Sequence, residues 1–294
     1  MFYIFLFLTC LLLLIIIIAW LGSNYLTARR KPDPAASPAD HRLAFEDIEF
    51  RSGDGLTLRG WYIPRPSSSR TVIICSGANG SMDADLAVAP WLHAIGLNVL
   101  LFDWRGHGRS EGQIVTLGLN ERYDLLAAVA LAKSKGAQQI GVLGFSMGGT
   151  VALSTAAVCP DIDAVAVDSA FVHTTSAVAG AMQERHVPER AAYLLARLFL
   201  LTASLRYGFN LFAVAPLKAI ERISPRPVLM MYGERDLCVP AIEVKLLYQR
   251  AREPKQLWQV PEAAHRNLQL YRAEEYRQKI VNFFEQNLRS DRKA

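Results

Sequence analysis

Hydrophobic and polar residues divide this chain of 294 residues into three regions. Residues 2–21 are apolar and contain no charged side chain. Residues 22–44 are more polar, and their proline-containing stretch 31–40 predicts a stiff linker. Residues 45–294 alternate short apolar runs with amphipathic segments, which is typical of an α/β domain.

The first region predicts a transmembrane anchor. As a helix, it would be about 30 Å long, which matches the hydrocarbon thickness of a bilayer. A cleaved signal peptide is the alternative, but the apolar run is long, no charged segment precedes it and no clear A-x-A site follows it. The nearby positive charges, Arg29, Arg30 and Lys31, lie on its C-terminal side, so the positive-inside tendency predicts a cytoplasmic domain.

The apolar runs of the third region predict a sheet of eight strands. The first two, "FEDIEF" and "LTLRGWYI", alternate and are joined by "RSGDG", whose Asp-Gly pair indicates an antiparallel hairpin. The other six are mostly continuous, as expected for strands covered on both faces. They are residues 71–75, 98–102, 140–145, 164–168, 227–232 and 256–260.

Segments with helical spacing separate these strands, at about 83–95, 117–135, 147–158, 241–251 and 270–288. Strands that alternate with helices after an antiparallel start predict a mostly parallel sheet with helices on both faces. A crossover between parallel strands needs only about a dozen residues. The connection before residue 227 is much longer, so we expect a helical lid inserted at about residues 172–224.

Composition narrows the classes of partner and cofactor. The net charge is +5, but basic residues are mixed with acidic ones and form no patch interleaved with aromatic residues, so nucleic-acid binding is not expected. The four cysteines lack metal-ligand spacing such as C-x-x-C. We expect neither a metal nor an organic cofactor.

The stretch "GVLGFSMGGT" carries the main candidate for chemistry. Ser146 lies between Gly144 and Gly148, after a predicted strand and before a predicted helix, as in a G-x-S-x-G nucleophile elbow. Small neighbours are needed there because the backbone is strained and tightly packed. The serine also needs a base within reach, itself oriented by an acid.

Two later loops can supply the base and the acid. His265 follows the last predicted strand and Asp236 the one before it, and the carboxyl ends of parallel strands meet at one edge of a sheet. The chain order Ser146, Asp236, His265 is that of sheet hydrolases with a catalytic triad. Asp168, at the end of another strand, is the alternative acid.

Two backbone amides are candidates for an oxyanion hole. Met147 follows the serine at the start of a predicted helix, where free N–H groups favour negative charge. The loop "SGANG" follows the strand 71–75 and offers Ala78, with Asn79 as the alternative donor.

The motifs "SGANGS", "FDWRGHGRSEG", "GFSMGG", "ISPRPVLMMYGERDLCVP" and "EAAHRNL" together resemble the α/β-hydrolase superfamily. Within it, the chain is similar to membrane-tethered Bem46-like hydrolases and to serine-aminopeptidase-like and monoacylglycerol-lipase-like enzymes, from about residue 45 to the C-terminus. The resemblance implies Ser146 as nucleophile, His265 as base and Asp236 as its orienting acid. Relatives often have His-Gly where this chain has Ser-Gly in "SGANGS".

The sequence therefore predicts a membrane-anchored serine hydrolase that cleaves carboxylic esters or thioesters, with lipid-like or acylated small molecules favoured. A serine peptidase acting on short peptides is one alternative, because it uses the same acyl chemistry. A membrane-bound binding or scaffold protein without catalytic activity is the other. The presence of Ser146, Asp236 and His265 argues against the scaffold, which needs none of them.

Overall fold

A computed structural model describes residues 1–289 and contains the predicted eight-stranded sheet. Its order is β1-β2-β4-β3-β5-β6-β7-β8, with antiparallel pairing of β1 to β2 and of β2 to β4 and parallel pairing elsewhere. The strands are β1 Glu46–Arg51, β2 Thr57–Ile63, β3 Arg70–Cys75, β4 Asn98–Phe102, β5 Gln139–Phe145, β6 Ala164–Asp168, β7 Val228–Gly233 and β8 Lys255–Val260. The strand predictions are confirmed, with each end within one residue.

Helices cover both faces of this sheet, as predicted. The α-helices of the described residues are α1 Phe2–Thr27, α2 Ala89–Ala94, α3 Glu121–Ser134, α4 Met147–Ala156, α5 Thr174–Gln183, α6 Glu189–Tyr207, α7 Ala241–Arg250, α8 Leu268–Tyr271 and α9 Ala273–Asn287, of which α1 lies outside these two layers. Neighbouring residues of β3 contribute to different cores, Ile73 to one and Ile74 to the other. Because β3, β5, β6, β7 and β8 are parallel, their carboxyl ends lie at one edge of the sheet. This edge lies between the two layers of helices.

Three of the predicted helices have different limits. The segment 83–95 is a 3₁₀ helix, Met82–Val88, followed by α2, because Pro90 has no N–H to donate into a continuous α-helix. The helix predicted from residue 117 begins at Glu121, because Leu117 and Gly118 have φ angles of 52° and 105°. The last helix is interrupted at Arg272, where φ is −140°, and so forms α8 and α9.

The N-terminal helix continues past the predicted limit of the anchor at residue 21. α1 is long and apolar enough to cross a membrane, and it ends only at Thr27. Its last turns are buried against the domain: Ser23, Leu26 and Thr27 are almost inaccessible, and Gly22 faces the ring of Phe199 in α6. The predicted linker 22–44 thus begins with six helical residues, because tertiary packing on α6 extends the helix.

The long connection between β6 and β7 forms a helical insertion. It contains α5, α6 and three 3₁₀ helices, Leu211–Ala213, Pro216–Lys218 and Ile220–Ile223. α5 packs closely on the loop after β7, where a Cβ at Gly180 would overlap the carbonyl group of Leu237. The insertion therefore lies against a loop of the candidate site.

Candidate active site

Ser146 lies in a strained turn between β5 and α4. Its φ angle is 50°, in the left-handed region that residues with a Cβ rarely adopt. A Cβ at Gly144 would lie 2.5 Å from the Gly148 carbonyl oxygen, and one at Gly148 would overlap the carbonyl oxygen of Cys75. The prediction of a strained elbow that requires glycine on both sides is confirmed.

The structure brings Ser146, His265 and Asp236 together in a hydrogen-bonded chain. Ser146 Oγ lies 2.9 Å from His265 Nε2, and His265 Nδ1 lies 2.8 Å from Asp236 Oδ2. The carboxylate is fully buried, and its other oxygen accepts from the Val239 amide at 2.8 Å. When His265 donates from Nδ1 to the carboxylate, Nε2 is left with a lone pair that can accept the serine proton.

Asp168, the alternative acid, has other partners. Its side chain accepts from the Tyr276 hydroxyl at 2.8 Å and the Ser169 hydroxyl at 2.9 Å, and burial raises the pKa of its carboxyl group. Its backbone carbonyl accepts from the Ser146 amide at 2.9 Å. Asp168 therefore supports the elbow, while Asp236 is the acid in contact with His265.

The two oxyanion candidates lie on opposite sides of Ser146 in sequence, directly after β5 for Met147 and in the loop after the adjacent strand β3 for Ala78. Met147 is the first residue of α4, so its N–H has no intrahelical acceptor and lies at the positive end of the helix. The loop of Ala78 follows β3, which pairs with β5, and a Cβ at Gly77 would lie 3.7 Å from Ser146 Cβ. The carbonyl oxygen of Ala78 lies 3.1 Å from His107 Nε2 and accepts from Arg30 Nε at 2.9 Å.

A polar cavity of about 170 Å³ lies beside the elbow and was not predicted from the sequence. It is lined in part by Phe145 and Arg266, the neighbours of the serine and the histidine, and by Asp85. The Arg266 guanidinium pairs with the buried Asp85 and lies 4.7 Å over the Phe145 ring. Its position next to His265 was visible in the sequence, but no spacing linked it to an acid 181 residues away.

Within residues 1–289, one group of side chains has atoms close enough to hold a metal ion: Asp236, Cys238 and His265 have potential ligand atoms within 4.8 Å of one another. Two of the three are already hydrogen-bonded to each other. Burial raises the pKa of the Cys238 thiol, whereas metal binding needs the thiolate. The arrangement fits a proton relay better than a metal site.

Comparisons with known proteins identify relatives of this chain. A family model described as "Serine aminopeptidase, S33" matches residues 66–200, a range that includes Ser146. Protein YfhR of Salmonella typhi is 31% identical over 82% of this chain and 81% of its own length. Protein Rv2307c of Mycobacterium tuberculosis is 32% identical over 87% of this chain and 85% of its own.

Solved structures show the same architecture. The Pyrococcus furiosus esterase Pf2001 superposes with a TM-score of 0.73 at 27% identity, over 88% of this chain and 99% of the esterase. The α/β hydrolase GrgF from Penicillium sp. has a TM-score of 0.67 at 25% identity, over 83% of this chain and 99% of its own. The chain belongs to the α/β-hydrolase superfamily. The matching family model and the similar esterase structure together indicate that the chain is a hydrolase.

Proposed function

We propose that the protein is a membrane-anchored serine hydrolase that cleaves carboxylic esters or thioesters. The observation that carries this proposal is the continuous hydrogen-bonded chain from Ser146 through His265 to Asp236. The name of the similar Pyrococcus furiosus protein, an esterase, supports ester cleavage.

The reaction follows from the positions of these groups. Ser146 Oγ attacks the substrate carbonyl carbon while His265 Nε2 takes its proton, and Asp236 stabilises the imidazolium that forms. The amides of Met147 and of Ala78 or Asn79 donate to the oxyanion. His265 then gives the proton to the leaving alcohol or thiol. Water, deprotonated by the same nitrogen, cleaves the acyl-enzyme and releases the carboxylic acid.

The packing of α1 supports an anchor that stays attached. The apolar run and the turns that contain the buried residues Ser23, Leu26 and Thr27 form one continuous helix. Cleavage near the end of the apolar run would cut this helix where it enters the domain. Intact-mass measurement of the membrane-extracted protein tests this, and a chain that begins after residue 20 would contradict it. A cytoplasmic domain predicts that protease digests it in inside-out vesicles and leaves it intact in right-side-out ones.

Exposed leucines on α6, the helix that packs beside the end of α1, support a lipid-like or acylated substrate. Leu194, Leu201 and Leu205 are exposed on α6, and Arg206 lies 5.5 Å over the ring of Trp20 near the end of the apolar part of α1. With α1 in a bilayer, α6 would lie at the membrane surface, where Leu and Arg side chains are both favourable. We propose that this insertion is a lid through which membrane-borne acyl chains enter.

A fluorophosphonate probe provides the direct test. We expect it to label the wild-type protein and to leave a Ser146→Ala variant, verified as folded by circular dichroism, unlabelled. Absence of labelling in the wild type would favour a scaffold. A series of p-nitrophenyl esters of increasing chain length, compared with aminoacyl amides, then identifies the substrate class. The family description names a serine aminopeptidase, and faster cleavage of the amides would favour that peptidase activity.

A further inference from the structure

Arg30 joins the end of α1 to the loop of the second oxyanion candidate. Its guanidinium donates to the carbonyls of Tyr25 and Ala28, both at 2.9 Å, and of Leu26 at 2.7 Å. The last carbonyls of a helix have no intrahelical partner, so these bonds cap α1. The Nε atom of the same group donates to the Ala78 carbonyl at 2.9 Å. One side chain thus holds both structures.

His107 contacts the same carbonyl but is a conditional donor. Its Nδ1 lies 2.8 Å from the Arg105 carbonyl and its Nε2 3.1 Å from that of Ala78. Burial lowers the pKa of His107, and a neutral imidazole has only one N–H to donate. Arg30 stays protonated, although burial lowers the pKa of its guanidinium. It is therefore the permanent donor to Ala78.

A second contact fixes the same loop to the same segment. Asp33 Oδ2 accepts from the Ser81 amide at 2.7 Å, and the Asp33 amide donates to Ser81 Oγ at 3.0 Å. The chain that follows α1 therefore holds the oxyanion loop at two points, Ala78 and Ser81. The carbonyl of Ala78 shares a peptide plane with the amide of Asn79, so fixing it restricts the Asn79 N–H directly and the Ala78 N–H through the Cα that joins the two peptides.

We propose that Arg30 is a positioning residue for the reaction, which makes the segment following the anchor part of the active site. The proposal rests on the function proposed above. A charged donor on the Ala78 carbonyl holds the loop in place before the oxyanion forms and, by polarising the peptide, strengthens the Asn79 N–H as a donor. Loss of one preorganised oxyanion donor lowers kcat by about 10² to 10³-fold in other enzymes. A loop that is held less firmly should lose part of that factor.

The test compares Arg30→Ala and Arg30→Lys with the matched control Arg29→Ala in the full-length protein in detergent. Arg29 also donates to two backbone carbonyls, those of Gly112 and Gly108 at 2.7 Å, but not to the oxyanion loop. Fluorophosphonate titration counts the active sites, and p-nitrophenyl butyrate gives kcat per site and KM. The affinity for butylboronic acid, which forms a tetrahedral adduct with a serine, reports on the oxyanion site.

We expect Arg30→Ala to lower kcat per titrated site by about tenfold or more with KM nearly unchanged, as for an interaction used in the transition state. Boronic-acid affinity should fall in parallel. Arg30→Lys should recover part of both, because an ammonium group can still donate to one carbonyl, whereas Arg29→Ala should keep wild-type kcat per site. If Arg30→Ala does not fold, the lysine variant carries the same comparison.

Two results would overturn the proposal. One is a lower melting temperature for the Arg30 variants with wild-type kcat per site and boronic-acid affinity, which would make Arg30 a purely structural cap. The other is an equal loss in Arg29→Ala. Failure of the proposed function itself is a separate outcome, since the wild-type protein would then not be labelled by the fluorophosphonate.

Discussion

Replacing Asp236 by Asn should remove most of the activity while leaving the fold intact. The two oxygens of this carboxylate accept from the Val239 amide and from His265 Nδ1, both at 2.8 Å. An asparagine has one oxygen and one NH₂ group, so the NH₂ must face one of these partners. If the NH₂ group faces Val239, it lies against the Val239 N–H, and two donors then meet in a buried site. This arrangement costs about 1–3 kcal/mol of stability.

The asparagine NH₂ should therefore face His265 Nδ1, which must then accept. The ring proton moves to Nε2, the atom that has to take the proton of Ser146. The corresponding substitution in other triads lowers kcat by about 10⁴-fold. That factor corresponds to about 5.4 kcal/mol of lost transition-state stabilisation, at 1.36 kcal/mol for each factor of ten.

Asp168→Asn is the matched control. Both partners of Asp168 are hydroxyl groups, of Tyr276 and Ser169, and hydroxyls can rotate to accept from an NH₂ group. We therefore expect Asp168→Asn to lose less than the roughly 10²-fold in kcat that is the smallest typical contribution of a positioned acid or base. The assay is p-nitrophenyl ester hydrolysis, with circular dichroism to verify folding. A larger loss of kcat for Asp168→Asn than for Asp236→Asn would refute the assignment of the acid.

Two further predictions concern residues around the hydrogen-bonded chain of Ser146, His265 and Asp236. Gly148→Ala should lower stability by about 1–3 kcal/mol, because its Cβ would overlap the carbonyl oxygens of Cys75 and Ser76, which are fixed in the backbone. Gly53→Ala, which meets no atom closer than 3.8 Å, is the control, and equal melting temperatures for the two variants would contradict the argument. Burial raises the pKa of Cys238, so iodoacetamide at pH 8 should leave it unmodified and the activity unchanged; rapid alkylation detected by mass spectrometry would show that the thiol is accessible and reactive.

The positions of Ser146, Asp236 and His265 could be predicted because they depend on patterns that are local in the sequence. Ser146 directly follows β5, Asp236 lies in the loop after β7 and His265 in the loop after β8, and these parallel strands present their carboxyl ends at one edge of the sheet. The strands themselves were recognisable from their length and continuous apolar character. The glycines around Ser146 then indicated which of these loops makes a strained turn.

The supporting contacts could not be predicted in this way. Arg30 reaches the Ala78 carbonyl across 48 positions, and Arg266 reaches Asp85 across 181. Contacts between an arginine side chain and a distant residue depend on tertiary folding and leave no periodic signal in a sequence. In the same way, the residues from Gly22 to Thr27 are more polar than the preceding run, so the pattern ended the anchor at residue 21 although packing on α6 continues the helix.

The continuation of α1 also bears on how the anchor and the enzyme are related. A flexible tether would leave the domain free to turn relative to the membrane. Here the helix ends inside the domain: Leu26 belongs to its core, and the Arg206 guanidinium donates to Ser23 Oγ at 2.6 Å. Only Ala28 separates the end of α1 from Arg29, whose guanidinium donates to the Gly112 and Gly108 carbonyls of the domain. The direction of the helix therefore fixes the orientation of the domain. A bilayer around α1 would therefore set which face of the insertion meets the lipid.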